Sequence, residues 1–339
     1  MTAPSVKPTD SLTSLVQPIE AGAHVTAAAF LGRTPALALG DGTVVLAPIG
    51  EERRISAHPD GAILAAAVQG SRMITGGDDG RLVATSADGS TQDIAQEAGK
   101  WIDALAVRED GTVAWAAGRQ VRSRSPKGEV KSWLAPTSAR GLAFAPKGYR
   151  LAVSHYNGAT LWYPNTASIP EVFEWKGSHL DVTVSPDNRF LVTSMQENSL
   201  HGWRLADGQH MRMQGYPSKS RSLAWSHDGD WLATSGADAC VVWPFDSKTG
   251  PMGKAPRECG VRSSRVSQVA FHPKTLVLAM GYEDGFVLLC RLTDASEILI
   301  RKTDPGTADP VSALAWDRDG KQLLFGTRKG AAGLLTLPG

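Results

Sequence analysis

The chain of 339 residues carries 35 Lys and Arg against 34 Asp and Glu, a formal net charge of +1 that excludes strong general affinity for nucleic acid or anionic membrane. No apolar run approaches a membrane-spanning length, and the start lacks the basic and apolar regions of a secretory leader. Three cysteines, an odd number, read as unpaired buried thiols of a cytoplasmic protein.

Residues 1–10, with Pro4 and Pro8, read as a flexible N-terminal segment. Residues 11–339 read as one repeat array, with no linker, like-charge block or low-complexity stretch. A strand is expected within 12–19. At Val25 a six-residue phrase begins: an apolar residue, two variable ones, an apolar residue, a small one, then an aromatic or Val. It returns at Ile63, Ile102, Ala139, His179, Ser220, Val266 and Val311, roughly 37 to 46 residues apart. That spacing is the period of one β-propeller blade.

The stretch 220–245 shows what each phrase introduces. Residues 220–225 predict a first strand, 226–229 a turn, 231–235 a second strand, 236–238 a turn and 240–243 a third strand. A fourth, less regular strand is expected between Met252 and Cys259. Short strands separated by Gly, Asp and Asn signal an antiparallel meander. The expected fold is therefore all-β: a β-propeller of four-stranded antiparallel blades, eight in number, with seven as the alternative. The last repeat has only three strands, so the N-terminal strand is expected to complete its blade and close the ring.

The fifth position of the phrase is Ala in seven repeats and Thr183 in the other. Small side chains there would let the inner strands converge around a central channel. The apolar residue before it and the closing aromatic or Val would fill the gap between blades. Near-continuous apolar sequence predicts inner strands buried on both sides.

Several segments resemble the WD40 repeat family over nearly the whole chain. Leu-Ala-Phe-Ala-Pro-Lys-Gly (142–148), Val-Thr-Val-Ser-Pro-Asp-Asn (182–188), Leu-Ala-Trp-Ser-His-Asp-Gly (223–229) and Val-Ala-Phe-His-Pro-Lys (269–274) are similar to its first strand and Ser-Pro-Asp-Gly turn. The strands ending in Trp162, Trp203 and Trp243 are similar to its Trp-containing strand. No repeat ends in Trp-Asp; Tyr163, Arg204 and Pro244 stand where that Asp would be. The resemblance implies an interaction scaffold and a side-chain network of His, Ser/Thr, Asp and Trp. Only fragments of that network are expected: His58 with Asp79, Asp238 with Trp243, and Asn198 with Trp203.

The chain contains no His-Glu-x-x-His, Cys-x-x-Cys, Gly-Lys-Ser/Thr phosphate loop or Gly-x-Ser-x-Gly. No catalytic role, cofactor or metal is expected. A metal site would have to assemble from distant residues such as Cys240, Cys259 and a histidine.

The docking face that the resemblance implies carries the loops before the first strand and the turns between second and third strands. Mapping each repeat onto it gives Trp101, Asp103, Arg140, Tyr156, Arg221, Arg265 and Tyr282 as candidate partner-binding residues. Arg140 and Arg221 share the second position of the phrase, where other repeats carry Leu, Ser, Thr or Asp. They either pair with Asp103 or Asp181 or stand free for a partner. The expected function is a non-catalytic, monomeric scaffold whose rigid rim docks an acidic or extended peptide of a protein partner. The alternative is a small-molecule or metal-handling propeller with its site at the channel mouth. That reading needs carboxylates and histidines converging there, which Thr26, Leu64, Asp103, Arg140, Leu180, Arg221, Ser267 and Ser312 do not supply.

Overall fold

The computed structural model describes residues 10–48 and 50–338. Every phrase contributes a strand beside one central channel: Val25–Leu31, Ile63–Gln69, Ala104–Val107, Gly141–Phe144, the end of Glu171–Val184, Leu223–Trp225, Val266–Phe271 and Val311–Trp316. Antiparallel neighbours step outward from each. Behind Leu223–Trp225, for example, lie Trp231–Thr234, Cys240–Pro244 and Arg257–Cys259. Tight turns link them, and Asn157 (φ 66°) and Asn198 (φ 52°) take the left-handed backbone that two of these turns require.

The expectation of eight separate four-stranded blades is corrected by the sheet topology. The described strands form seven sheets: five of four strands, one of five and one of six. The six-stranded sheet holds the fourth and fifth repeats together, because Glu171–Val184 is one strand of 14 residues. Its first part pairs with the end of Leu151–Trp162, and its last part pairs with Phe190–Met195. Elsewhere a loop bearing Gly or Pro, such as residues 57–62, breaks the chain between repeats. Here only 176–178 intervene, and Ser178 still pairs with Tyr156, so the strand runs on through register shifts at Tyr156/Gly158 and His179/Asp181.

Val16–Glu20 pairs antiparallel with Ala331–Thr336 and supplies the outer strand of the last sheet. Of the segment expected to be flexible, residues 1–9 lie outside the described residues. Asp10 and Ser11 form a short strand parallel to Ser296–Arg301, which gives the neighbouring sheet its fifth strand.

The inner strands are not the most buried, contrary to the reading of their apolar sequence. Val25–Leu31 and Ile63–Gln69 are half-buried over much of their length because they front the channel. The second strands Thr34–Leu39, Phe190–Met195 and Gln322–Thr327 are buried almost throughout.

Polar side chains stitch neighbouring inner strands. The hydroxyl at the second phrase position donates to the carbonyl that opens the next phrase: Thr26 to Ile63 at 3.0 Å, Ser267 to Val311 at 2.7 Å, and Ser312 likewise to Val25. The closing Trp reaches the preceding repeat. Trp225 Nε1 donates to Thr183 Oγ1 at 2.9 Å and Trp316 Nε1 to the Ala270 carbonyl at 3.2 Å. Thr183 thus replaces Ala where an acceptor is needed. At Gly76, Gly281 and Gly326 a Cβ would collide with Ile102, Val311 and Val25, the first residue of the following phrase. Only Gly lets adjacent repeats approach this closely.

Candidate docking surface

The turns between second and third strands pack on the loops that enter the next phrase, so both lie on one face. Gly42 abuts His58 and Gly61, and Gly80 abuts Glu97 and Lys100. The Gly236 amide donates to the carbonyl of Val266, which opens the next phrase, at 3.0 Å. At the centre of that face the channel opens as a cavity of about 990 Å³. Its wall carries Asp103, Arg140, Asp181, Lys219 with Arg221, Glu283, and Arg328 with His24. In that order, round the ring from the third repeat, the sign alternates.

Arg140 Nη1 lies 3.4 Å from Asp103 Oδ2, with the two side chains 52% and 32% exposed. A pair this wet contributes about 0–1 kcal/mol, so a competing carboxylate displaces Asp103 at little cost. Asp181 pairs with no cation among the described residues. Its Oδ1 accepts from the Val182 amide at 2.8 Å, and burial pushes its carboxyl up to about 6. Arg221 is exposed on the channel wall with no acidic partner among the described residues, while its amide donates to Ser235 Oγ at 3.1 Å.

A second hollow of about 580 Å³ adjoins the channel, between the loops of the third and fourth repeats. Trp101, Lys100, Asp103, Arg119 and Arg140 line it, and Trp101 is 64% exposed. The sequence reading missed Lys100 and Arg119. Arg119 sits in the second-to-third-strand turn of its repeat, so the positional rule that singled out Tyr156 applies to it equally. Arg119 Nε donates to the Ala135 carbonyl at 2.9 Å, which holds the guanidinium beside the hollow.

The remaining candidates scatter. Tyr156 is exposed beside the Asn157 turn, and its amide donates to Thr137 Oγ1 at 2.9 Å. Arg265 is exposed, and its carbonyl accepts from the Glu283 amide. Tyr282 is corrected from rim to core. It is fully buried, its hydroxyl donates to the Gly260 carbonyl at 2.5 Å, and the Arg262 guanidinium covers its ring at 5.1 Å. An Arg262–Asp284 ion pair at 3.0 Å fixes that cover. Among the described residues no group of three or more His, Cys, Asp or Glu is placed to hold a metal ion.

The side-chain network is rebuilt with different chemistry from repeat to repeat. His58 Nδ1 is 3.0 Å from the Asp79 carboxylate, and Nε2 is 2.9 Å from Thr75 Oγ1. Asp238 does not pair with Trp243, as had been expected; it is exposed. Trp243 Nε1 instead donates to Tyr216 Oη at 2.6 Å, and Tyr216 lies 2.6 Å from Thr234 Oγ1. Nor does Asn198 meet Trp203: its amide donates to the Pro217 carbonyl. In the third repeat the same place is taken by Glu97, which accepts from Trp115 Nε1 at 2.8 Å and pairs with Arg122.

Two family models match parts of the chain: "Anaphase-promoting complex subunit 4 WD40 domain" over residues 269–337 and "WD domain, G-beta repeat" over 210–243. WD repeat-containing protein 1-B of Xenopus laevis is 37% identical over 71 residues, 20% of this chain and 12% of that protein. Periodic tryptophan protein 2 of Saccharomyces cerevisiae is 25% identical over 176 residues, 44% of this chain and 19% of that protein. Both matches thus span less than a fifth of the relative's own length. The computationally designed Ika8 protein superposes with a TM-score of 0.76 over 93% of this chain and 97% of its own, at 17% identity, a likeness of fold alone. With its Trp-bearing third strands, its His58–Asp79–Thr75 contact and these matches, the chain is a β-propeller whose repeats are similar to those of the WD40 family.

Proposed function

We propose that this propeller is a non-catalytic, monomeric, cytoplasmic scaffold that docks an acidic, extended peptide of a protein partner across the hollow at Trp101 and the channel mouth. The observation that carries this reading is Trp101, 64% exposed beside Lys100, Arg119 and Arg140. The large tryptophans of the strands are packed or half-packed; this one is left in water. Three cations face one carboxylate in the hollow, which favours an acidic guest. An aromatic anchor with arginines around it is the composition that concentrates binding energy at interfaces. The surface is already formed by turns locked onto loops, so docking orders little of the scaffold.

Site-specific photocrosslinking tests the reading. A photoreactive residue at position 101 is expected to capture a partner peptide rich in Asp and Glu, and one at His227, in a first-to-second-strand turn, is not. Arg140→Glu and Arg221→Glu should abolish that capture while leaving thermal unfolding nearly unchanged. Equal capture at both positions, or unfolding caused by the arginine variants, would refute it.

A further inference from the structure

Among the described residues, the outer strand of the third repeat, Val130–Leu134, is the sheet edge least protected against a further strand. It ends its sheet, pairs in unbroken register with Gln120–Arg124, and contains no Pro. The other outer strands are each guarded. Ser296–Arg301 is covered by Asp10 and Ser11, Thr91–Gln96 is irregular between Asp93 and Ala95, Val16–Glu20 holds Pro18, and Arg257–Cys259 has only three residues. Arg53–Ser56, His210–Met213 and the outer part of Glu171–Val184 carry Arg or Glu side chains. In Val130–Leu134 the one charge, Lys131, is paired with Glu129 at 2.6 Å.

Hydrogen bonds at its two ends fix which backbone groups face outward. The Ser125 amide donates to the Glu129 carbonyl at 2.8 Å, and the Ala135 amide to the Arg119 carbonyl at 2.9 Å. Antiparallel pairing alternates, so between these bonds Lys131 and Trp133 turn their amides and carbonyls inward. Val130, Ser132 and Leu134 turn theirs outward, where no strand lies among the described residues. The side chains of the same three residues share one face. Trp133 points the other way and stacks on Trp162 of the fourth repeat at 6.2 Å between ring centroids. Arg122, opposite Ser132, pairs with Glu97 in the loop leaving the second repeat, so Val130 and Leu134 stand on the face turned to that repeat. There Val130 is 46% exposed and Leu134 58%.

Two features say what covers this edge. One is continuity with the hollow at Trp101. Ala135, next to Leu134, exchanges bonds with Arg119, which lines that hollow: its amide donates to the Arg119 carbonyl and its carbonyl accepts from Arg119 Nε. The other is charge. Arg124, opposite Val130 at the far end, has no acidic partner among the described residues, so cations stand at both ends of the strip formed by Val130, Ser132 and Leu134.

We propose that the acidic, extended peptide read above for the hollow, a reading on which this inference rests, continues as a fifth strand along Val130–Leu134. Its backbone pairs with the outward groups of Val130, Ser132 and Leu134. Apolar residues at alternate positions cover Val130 and Leu134, and acidic residues flank them, at the hollow on one side and at Arg124 on the other. The partner is a linear acidic segment with an alternating apolar core.

Fluorescence anisotropy of the full chain with two labelled probes tests this: a peptide of four acidic residues, and the same peptide extended by Val-Thr-Val-Thr-Val and two further acidic residues. The extended probe is expected to bind about tenfold more tightly than the short one, or better. Ser132→Pro removes an outward N–H and leaves the inward ladder intact, so it should reduce the extended probe to the affinity of the short one and leave the short one unchanged. Arg140→Glu should weaken both. N-methylation of the Val amides or of the Thr amides should abolish the gain in one case only, since alternate amides face opposite edges, and this arm needs no variant to fold. Equal binding of the two probes by the wild-type chain would overturn the added strand while the reading of the hollow stands; binding of neither would overturn both. A chain that sediments as a dimer, and as a monomer once Ser132 is Pro, would put a second copy on this edge and overturn the proposal.

Discussion

Ser312 Oγ donates to the carbonyl of Val25 at 2.6 Å, joining the last repeat to the first across 287 residues of sequence. Beside it, Val25 packs against Gly326 with no room for a Cβ. Ser312→Ala is expected to cost about 1 kcal/mol, since one hydrogen bond is lost and a carbonyl at the channel wall can turn to water. Gly326→Ala should cost more, about 2–3 kcal/mol, because the collision forces the first and last repeats apart. Urea unfolding measures both; a larger loss for Ser312→Ala than for Gly326→Ala would contradict this account of closure.

Glu97 is a buried carboxylate satisfied by Trp115 and Arg122. Glu97→Ala should destabilise by about 3 kcal/mol, because it leaves a buried indole N–H and a half-buried guanidinium without their partner. Glu97→Gln keeps the acceptor for Trp115 and should lose less. Equal losses in chemical denaturation would mean that the Trp115 bond contributes nothing.

His201 is fully buried, stacked on Trp175 at 4.0 Å between ring centroids, and neither ring nitrogen finds a partner among the described residues. His201→Phe keeps the stacking and removes an unsatisfied polar edge, so it is expected to match or exceed the wild type, by up to about 1 kcal/mol. Burial pushes the His201 imidazole down to about 3, below its unfolded value near ~6.5. Protons therefore favour the unfolded chain, and stability falls as pH drops from about 6.5 toward about 3. His201→Phe should flatten that decline in unfolding temperature, with His155 and His179, also lowered by burial, supplying the remainder. An unchanged acid slope would remove His201 as its source.

Asp181 works in the opposite sense. Its carboxyl, raised by burial to about 6, binds its proton more tightly folded than unfolded. Its stabilising contribution is present below the unfolded value near ~4 and is lost as pH rises through about 6. Asp181→Asn should therefore raise stability at pH 8 by about 1–2 kcal/mol, discounted for the wet cavity it fronts, and change little at pH 4. A scan of unfolding temperature against pH for both proteins checks the sign.

The periodic phrase made the strands and the channel legible, since small and apolar positions recur wherever inner strands converge. It did not reveal the shared sheet. Lys176, Gly177 and Ser178 look like any short connection, and only three-dimensional pairing of Ser178 with Tyr156 makes them strand. Trp101 was readable as surface because it stands just before the phrase at Ile102, and Asp103 and Arg140 because each puts a charge at its second position. Tyr282 was misread for the converse reason. Its position in the repeat is that of a rim residue, but Arg262, from the preceding loop, folds over it. Of the network only His58 with Asp79 was legible; the rest did not show because its members change identity, from His58 to Glu97 to Tyr216, while the place they fill is constant.

A ring closed by strand pairing instead of by a covalent link has few reasons to begin where it does. Joining residue 338 to residue 10 and opening the chain within 206–209, an exposed loop between strands, should leave a foldable circular permutant. The seam at 176–178 is the exception. No loop separates the repeats there, so new ends would cut through a strand that serves both sides, and the two repeats it joins would come apart together.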